Sequence, residues 1–94
     1  MLDQRLHVLV SGRVQGVGFR YFSYMTGGNL NLTGWVRNRI NGDVEILAEG
    51  PRSQLDLLLS IVSKGPDMAH VTEVVVAWGE PQGDLPPFTI LDTR

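Results

Sequence analysis

From Gly12 to Arg20 the chain reads Gly-Arg-Val-Gln-Gly-Val-Gly-Phe-Arg, three glycines within seven residues and an arginine near each end. Glycine reaches backbone conformations closed to other residues and lets a ligand approach the main chain. A glycine-rich turn between a strand and a helix can aim several N–H groups at one point, a concavity suited to an anion such as phosphate. Arg13 and Arg20 would add guanidinium charge, so the segment Arg13, Val14, Gln15, Gly16, Val17, Gly18, Phe19, Arg20 is the candidate phosphate cradle. Arg20 falls in the first turn of the expected helix, where a cation opposes the helix dipole. That placement suits bidentate anion binding better than it suits stability. A plain strand-to-helix connection with two solvated arginines accounts for the same residues. The segment is not a Walker A loop, because GxxxxGK[ST] does not fit it. Nor is it a dinucleotide fingerprint, because Tyr21 stands where the third glycine of GxGxxG belongs.

Asn38 is the second candidate. By strand alternation it points with Val36 and Ile40 rather than with Trp35, Arg37 and Arg39. If Val36 faces the helices, Asn38 does too, and a carboxamide there needs partners or a ligand. It can accept from a water and donate to an oxygen at the same time. The other reading is an asparagine preparing the hairpin turn that follows. His7 and His70 are far apart and neither sits at a metal-ligand spacing. The acids are scattered, with no paired carboxylates, and Ser11 has no base beside it in sequence. With no cysteine, disulfides, a thiolate nucleophile and Cys-ligated zinc are excluded. No metal or other cofactor is expected.

The elements that must position these residues follow from periodicity. Leu6, Val8 and Val10 alternate as a first strand, and the glycine turn leads into a helix over Phe19–Leu32 with Phe22, Thr26 and Leu30 on one side. Gly27 and Gly28 lie inside that helix and weaken it. Thr33–Ile40 predicts a second strand, Asn41-Gly42 a hairpin turn, and Val44, Ile46 and Ala48 a third strand. Leu55, Leu58, Leu59 and Val62 mark an amphipathic helix with Ser53 as N-cap, stopped by Gly65-Pro66. Val71–Trp78 is β-branched and predicts a fourth strand, Gly79–Pro87 a connector, and Phe88–Leu91 a short last strand. Trp35, Trp78 and Phe88 read as packing or sheet-surface residues, and His7 as strand surface. The order βαββαβ implies an antiparallel sheet of four or five strands with both helices on one face.

The chain has 94 residues, 43% of them hydrophobic, which suits one domain with a single core over residues 1–94. No apolar run is long enough to span a membrane. The N-terminus lacks the layout of a secretion signal, so a cytoplasmic location is expected. Residues 1–40 hold five arginines against Asp3 alone, whereas residues 41–94 hold three basic residues against nine acids. The positive excess therefore sits with the glycine turn. The acidic second half disfavours nucleic-acid binding, which on such a sheet would also need exposed aromatics on the central strands.

Val14-Gln15-Gly16-Val17-Gly18-Phe19-Arg20, together with Gly34-Trp35-Val36-Arg37-Asn38 and Gly42-Asp43-Val44-Glu45, resembles the paired signatures of the acylphosphatases. Ala48-Glu49-Gly50 and Gly65-Pro66 fit as well, so the resemblance spans nearly the whole chain. It implies a ferredoxin-like α+β sandwich and hydrolysis of carboxyl-phosphate anhydrides. Arg20 then matches the phosphate-binding arginine, Asn38 the asparagine that places the attacking water, and residues 13–19 the phosphate loop. The partners implied are a small acyl phosphate and inorganic phosphate, with no nucleic acid and no membrane, acting on a monomer. A non-catalytic phosphate-binding module of the same fold is the alternative. Such domains also occur inside larger maturation proteins, but the absence of zinc-type cysteines or a partner domain favours a free-standing enzyme. Gly27, Gly28 and Asn29 depart from the family pattern. Replacing either glycine with alanine is expected to stabilise the fold by roughly 0.5–1 kcal/mol.

Overall fold

The structure is a computed structural model and describes residues 3–94. Strand β1 (Asp3–Arg13) leads into helix α1 (Phe19–Asn29). Strands β2 (Thr33–Asn38) and β3 (Val44–Pro51) form the hairpin, followed by helix α2 (Arg52–Lys64), β4 (His70–Gly79) and the two-residue β5 (Thr89–Ile90). The sheet order is β4-β1-β3-β2-β5. Leu6, Val8 and Val10 of β1, Val36 of β2, and Val44, Ile46 and Ala48 of β3 alternate onto one face. There they form a core with Leu55, Leu58 and Val62 of α2 and Phe19 of α1. The period-two pattern predicted for the strands thus sets which face meets the helices.

The sheet is mixed rather than wholly antiparallel. β5 runs parallel to β2, with Trp35 opposite Thr89 and Val36 opposite Ile90, while the other pairings are antiparallel. The long connector after β4 brings the chain back to the far edge of the sheet in the direction β2 already runs. The pairing continues beyond β5, where Leu91 N–H donates to Val36 and Arg94 N–H to Asn38.

Three expected boundaries move for local reasons. β2 ends at Asn38, because Arg39 N–H turns to the Asp43 carbonyl at 2.8 Å and closes the hairpin neck. Ile40 consequently sits in the turn and is 85% exposed, not on the helix side with Asn38. α2 begins at Arg52 with the extended Pro51 in the cap position and no side-chain cap, so Ser53 lies inside the helix and does not cap it. α1 ends at Asn29, three residues short of Leu32, where Asn31 takes a φ of 57° and the chain turns toward β2.

The buried stripe of α1 is Phe19, Ser23 and Gly27, not Phe22, Thr26 and Leu30, which are half-buried. Small side chains let the helix lie close against its neighbours. A Cβ added at Gly27 would meet the Phe88 ring at 2.5–2.7 Å, whereas one at Gly28 would enter open space. The expected stabilisation by Gly27→Ala is therefore overturned, while that by Gly28→Ala stands as an expectation. Phe88 itself belongs to the core.

On the opposite face, Arg5 pairs with Glu49 and Arg37 with Glu45, and His7 is hydrogen-bonded to Glu45. Burial alone would raise the Glu49 carboxyl. The backbone N–H groups of Gln82 and Gly83 and the Arg5 guanidinium outweigh it and hold that carboxyl below the usual range. Glu45 is likewise held low, because hydrogen bonds from His7 and Arg37 overcome its burial. Through Glu49, this face tethers the connector that delivers Phe88 to α1.

Candidate functional site

The turn between β1 and α1 is built by glycine conformation. Gly16 and Gly18 have φ of 74° and 81°, in the left-handed region that a side chain disfavours. Gly18 occupies the cap of α1, and its carbonyl accepts Phe22 N–H at 3.0 Å. From Gln15 to Tyr21, no backbone N–H finds a protein acceptor among the described residues. The first turn of α1 adds its own open donors to those of the loop, and a helix N-terminus carries partial positive charge.

Gly16, Gly18, Phe19, Arg20 and Tyr21 of this stretch line a cleft of about 340 Å³ that is also lined by Asn38. Of the residues singled out in sequence, Val14, Gly16, Gly18, Phe19, Arg20 and Asn38 meet there. Arg20 is half-buried and, among the described residues, pairs with no carboxylate. Among the described residues no acid lines the cleft, and Arg20 supplies its only full charge. Asn38 is 8% exposed and faces the helix side with Val36, as alternation predicts. Its Oδ1 is buried with no hydrogen-bond partner. A buried acceptor left open is costly, and in native structures such a group usually has a partner or a function.

Three members of the expected cradle turn their side chains elsewhere. Arg13 ends β1 opposite His70 and is exposed, held there by the β1–β4 ladder. Val17 packs against the core. Gln15 turns its amide to the β2–β3 hairpin, donating from Nε2 to the carbonyls of Arg39 at 2.7 Å and Asp43 at 2.9 Å. Conversely, Tyr21 and Ile90 line the cleft and were not foreseen. Tyr21 follows Arg20 in the first helical turn, so adjacency was an available signal. Ile90 arrives through β5, an expected strand whose parallel place beside β2 two residues of pairing could not reveal.

A larger hollow of about 490 Å³ lies at the other end of α1, beside Gly28, Asn31 and Phe88. It has no charged side chain. The smaller cleft holds the arginine, the open N–H groups and the unpartnered carboxamide, so it is the candidate for chemistry. Among the described residues, no cluster of three or more His, Asp or Glu has the arrangement of a metal site. No helix is long and apolar enough to cross a membrane.

The family model for acylphosphatase matches residues 6–90, which include every residue that lines this cleft. The chain belongs to the acylphosphatase family. A protein named acylphosphatase from Moorella thermoacetica is 50% identical over 80 residues, covering 85% of this chain and 86% of that one. One from an Anaeromyxobacter species is 45% identical over 86 residues, or 92% of each chain. The crystal structure of the Bacillus subtilis acylphosphatase superposes with a TM-score of 0.90 at 41% identity, covering 94% of this chain and 98% of that one. The α+β ferredoxin-like fold is common to both structures.

Proposed function

We propose that this acylphosphatase-family chain hydrolyses small acyl phosphates to a carboxylate and inorganic phosphate, using Arg20 and the loop N–H groups for the phosphate and Asn38 for the water. The observation that carries this reading is the buried, unpartnered Oδ1 of Asn38 in a cleft lined by Arg20, by Tyr21 and by a loop whose N–H groups have no protein acceptor among the described residues. The donors favour a dianionic phosphoryl group, and Arg20 adds a bidentate, charge-assisted contact. Asn38 Oδ1 accepts a hydrogen bond from a water and orients its oxygen toward phosphorus. The new P–O bond forms in line as the bond to the acyl oxygen breaks, and the electron pair leaves on the carboxylate.

The leaving carboxylate has a conjugate-acid pKa of about 4, so it departs without a proton donor. A substrate phosphate oxygen takes the proton that the water releases. This accounts for a site lined by no histidine, carboxylate or lysine, and for a reaction with no step that calls for a metal. The enzyme's work reduces to positioning and to charge stabilisation, the terms that dominate phosphoryl transfer. The same reading takes residues 1–94 as one domain acting as a monomer, in keeping with the one core shared by both helices and the sheet.

The test is hydrolysis of benzoyl phosphate with a chelator present, together with two variants. Arg20→Ala lowers kcat/KM by about 10³-fold or more and weakens inhibition by inorganic phosphate. Asn38→Ala lowers kcat by roughly 10²–10³-fold while phosphate still inhibits. Phosphate binding without turnover in the unaltered protein would make it a binding module. Full activity in Asn38→Ala would remove the water-placing role.

A further inference from the structure

We propose that Gln15 is a positioning residue that fixes the phosphate loop and Asn38 relative to each other. This inference rests on the functional reading above, in which the loop holds phosphate and Asn38 holds water. The sheet order creates the need. β1, which carries the loop, and β2, which carries Asn38, are not neighbours, because β3 lies between them. Val10 and Asn38 both pair with Val44, one on each side. Two strand spacings, roughly 10 Å, thus separate the two halves of the site. No β1–β2 ladder sets their distance.

Gln15 spans that gap. It stands between Val14 and Gly16, two residues that line the cleft, yet its own amide points away to the hairpin neck. A primary amide has two protons to donate, and here both have acceptors, the Arg39 and Asp43 carbonyls. Asp43 O also accepts Arg39 N–H. The residue directly after Asn38 is therefore held at both its N–H and its C=O, the latter by a side chain of the phosphate loop. Anchoring the peptides on both sides of Arg39 fixes the backbone from which the Asn38 carboxamide projects. A shift of about 1 Å between water and phosphorus is enough to cost orders of magnitude in rate.

Gln15→Met keeps the length of the side chain and removes both donors. Expected is a fall in kcat on benzoyl phosphate of roughly ten- to a hundredfold, with inhibition by inorganic phosphate changed less than about threefold. Because Gln15 acts through Asn38, adding Gln15→Met to Asn38→Ala costs less than about twofold more, a strongly non-additive cycle. Equal losses in both backgrounds would overturn the proposal. So would a collapse of phosphate inhibition with kcat intact, which would make Gln15 a phosphate ligand. A measurement on the unaltered protein covers the case in which the variant fails to fold or Asn38→Ala stays active. Saturating inorganic phosphate slows hydrogen exchange at the Arg39 amide, which lies outside the cleft, and an unchanged rate there would sink the strap.

Discussion

The two ends of helix α1 both carry a pair of glycines, and they use them in opposite ways. At the N-terminal end, Gly16 and Gly18 take left-handed φ values and a Cβ at either would meet nothing within 4 Å. Their value is conformational: they hold a turn that lines the cleft and whose N–H groups have no acceptor among the described residues. At the C-terminal end, Gly27 and Gly28 are ordinary helical residues, and Gly27 matters because of what it touches. The absence of its side chain is what seats Phe88. One pair is spent on a site and contributes little packing, while the other end serves packing and carries no charged chemistry.

Substitutions at the two ends should therefore separate activity from stability. Among the glycines, Gly16→Val has the largest expected effect. It lowers kcat/KM on an acyl phosphate by roughly 10²-fold or more, while urea melts show a loss of only about 1–2 kcal/mol from the forced left-handed backbone. A comparable drop in stability and no specific loss of turnover would erase the distinction. Gly27→Ala reverses the profile, since the new methyl group must displace a buried ring. It destabilises by about 1–3 kcal/mol, with kcat of the folded fraction retained.

Acid probes the C-terminal end less directly, through the Glu49 tether on the connector that positions Phe88. The carboxyls of Glu49 and Glu45 are held below their ordinary value of 4.5 in the folded chain. The unfolded chain therefore takes up protons first as pH falls. Their contribution is complete above that value and is lost progressively below it. Melting temperature should hold from neutrality to about pH 5 and then decline, and Glu49→Gln should start lower and decline less steeply. Gly28→Ala is the smallest change. It gains about 0.5–1 kcal/mol, read as a higher urea midpoint, and a loss there would mean that the hollow beside it is not open.

Sequence made one end of α1 far more legible than the other. Gly16, Gly18 and Arg20 stand out because glycine and arginine are chosen there for what no other residue does. Asn38 was placed by alternation with Val36, a period that strands enforce rigidly. The packing face of α1 was misjudged because hydrophobic periodicity searches for large apolar side chains. Ser23 and Gly27 mark that face by being small, and Ser23 satisfies its hydroxyl internally, donating to the Phe19 carbonyl at 2.9 Å. β5 was expected, but its parallel direction was not, since two residues of pairing carry no sign of direction. The turn of Gln15 was also hidden: its partners are backbone carbonyls, which every residue possesses.

A cradle made of main-chain donors has a thermodynamic consequence. Those N–H groups converge only when β1, the loop and α1 are all folded, so the unfolded chain offers an anion no equivalent. Any anion that fits is then a folding ligand by mass action. At a concentration one hundred times its Kd, it would add about 2.7 kcal/mol to the stability of the chain. Substrate and product alike would act as conditional structural supports, and the protein would be hardest to unfold while it is in use.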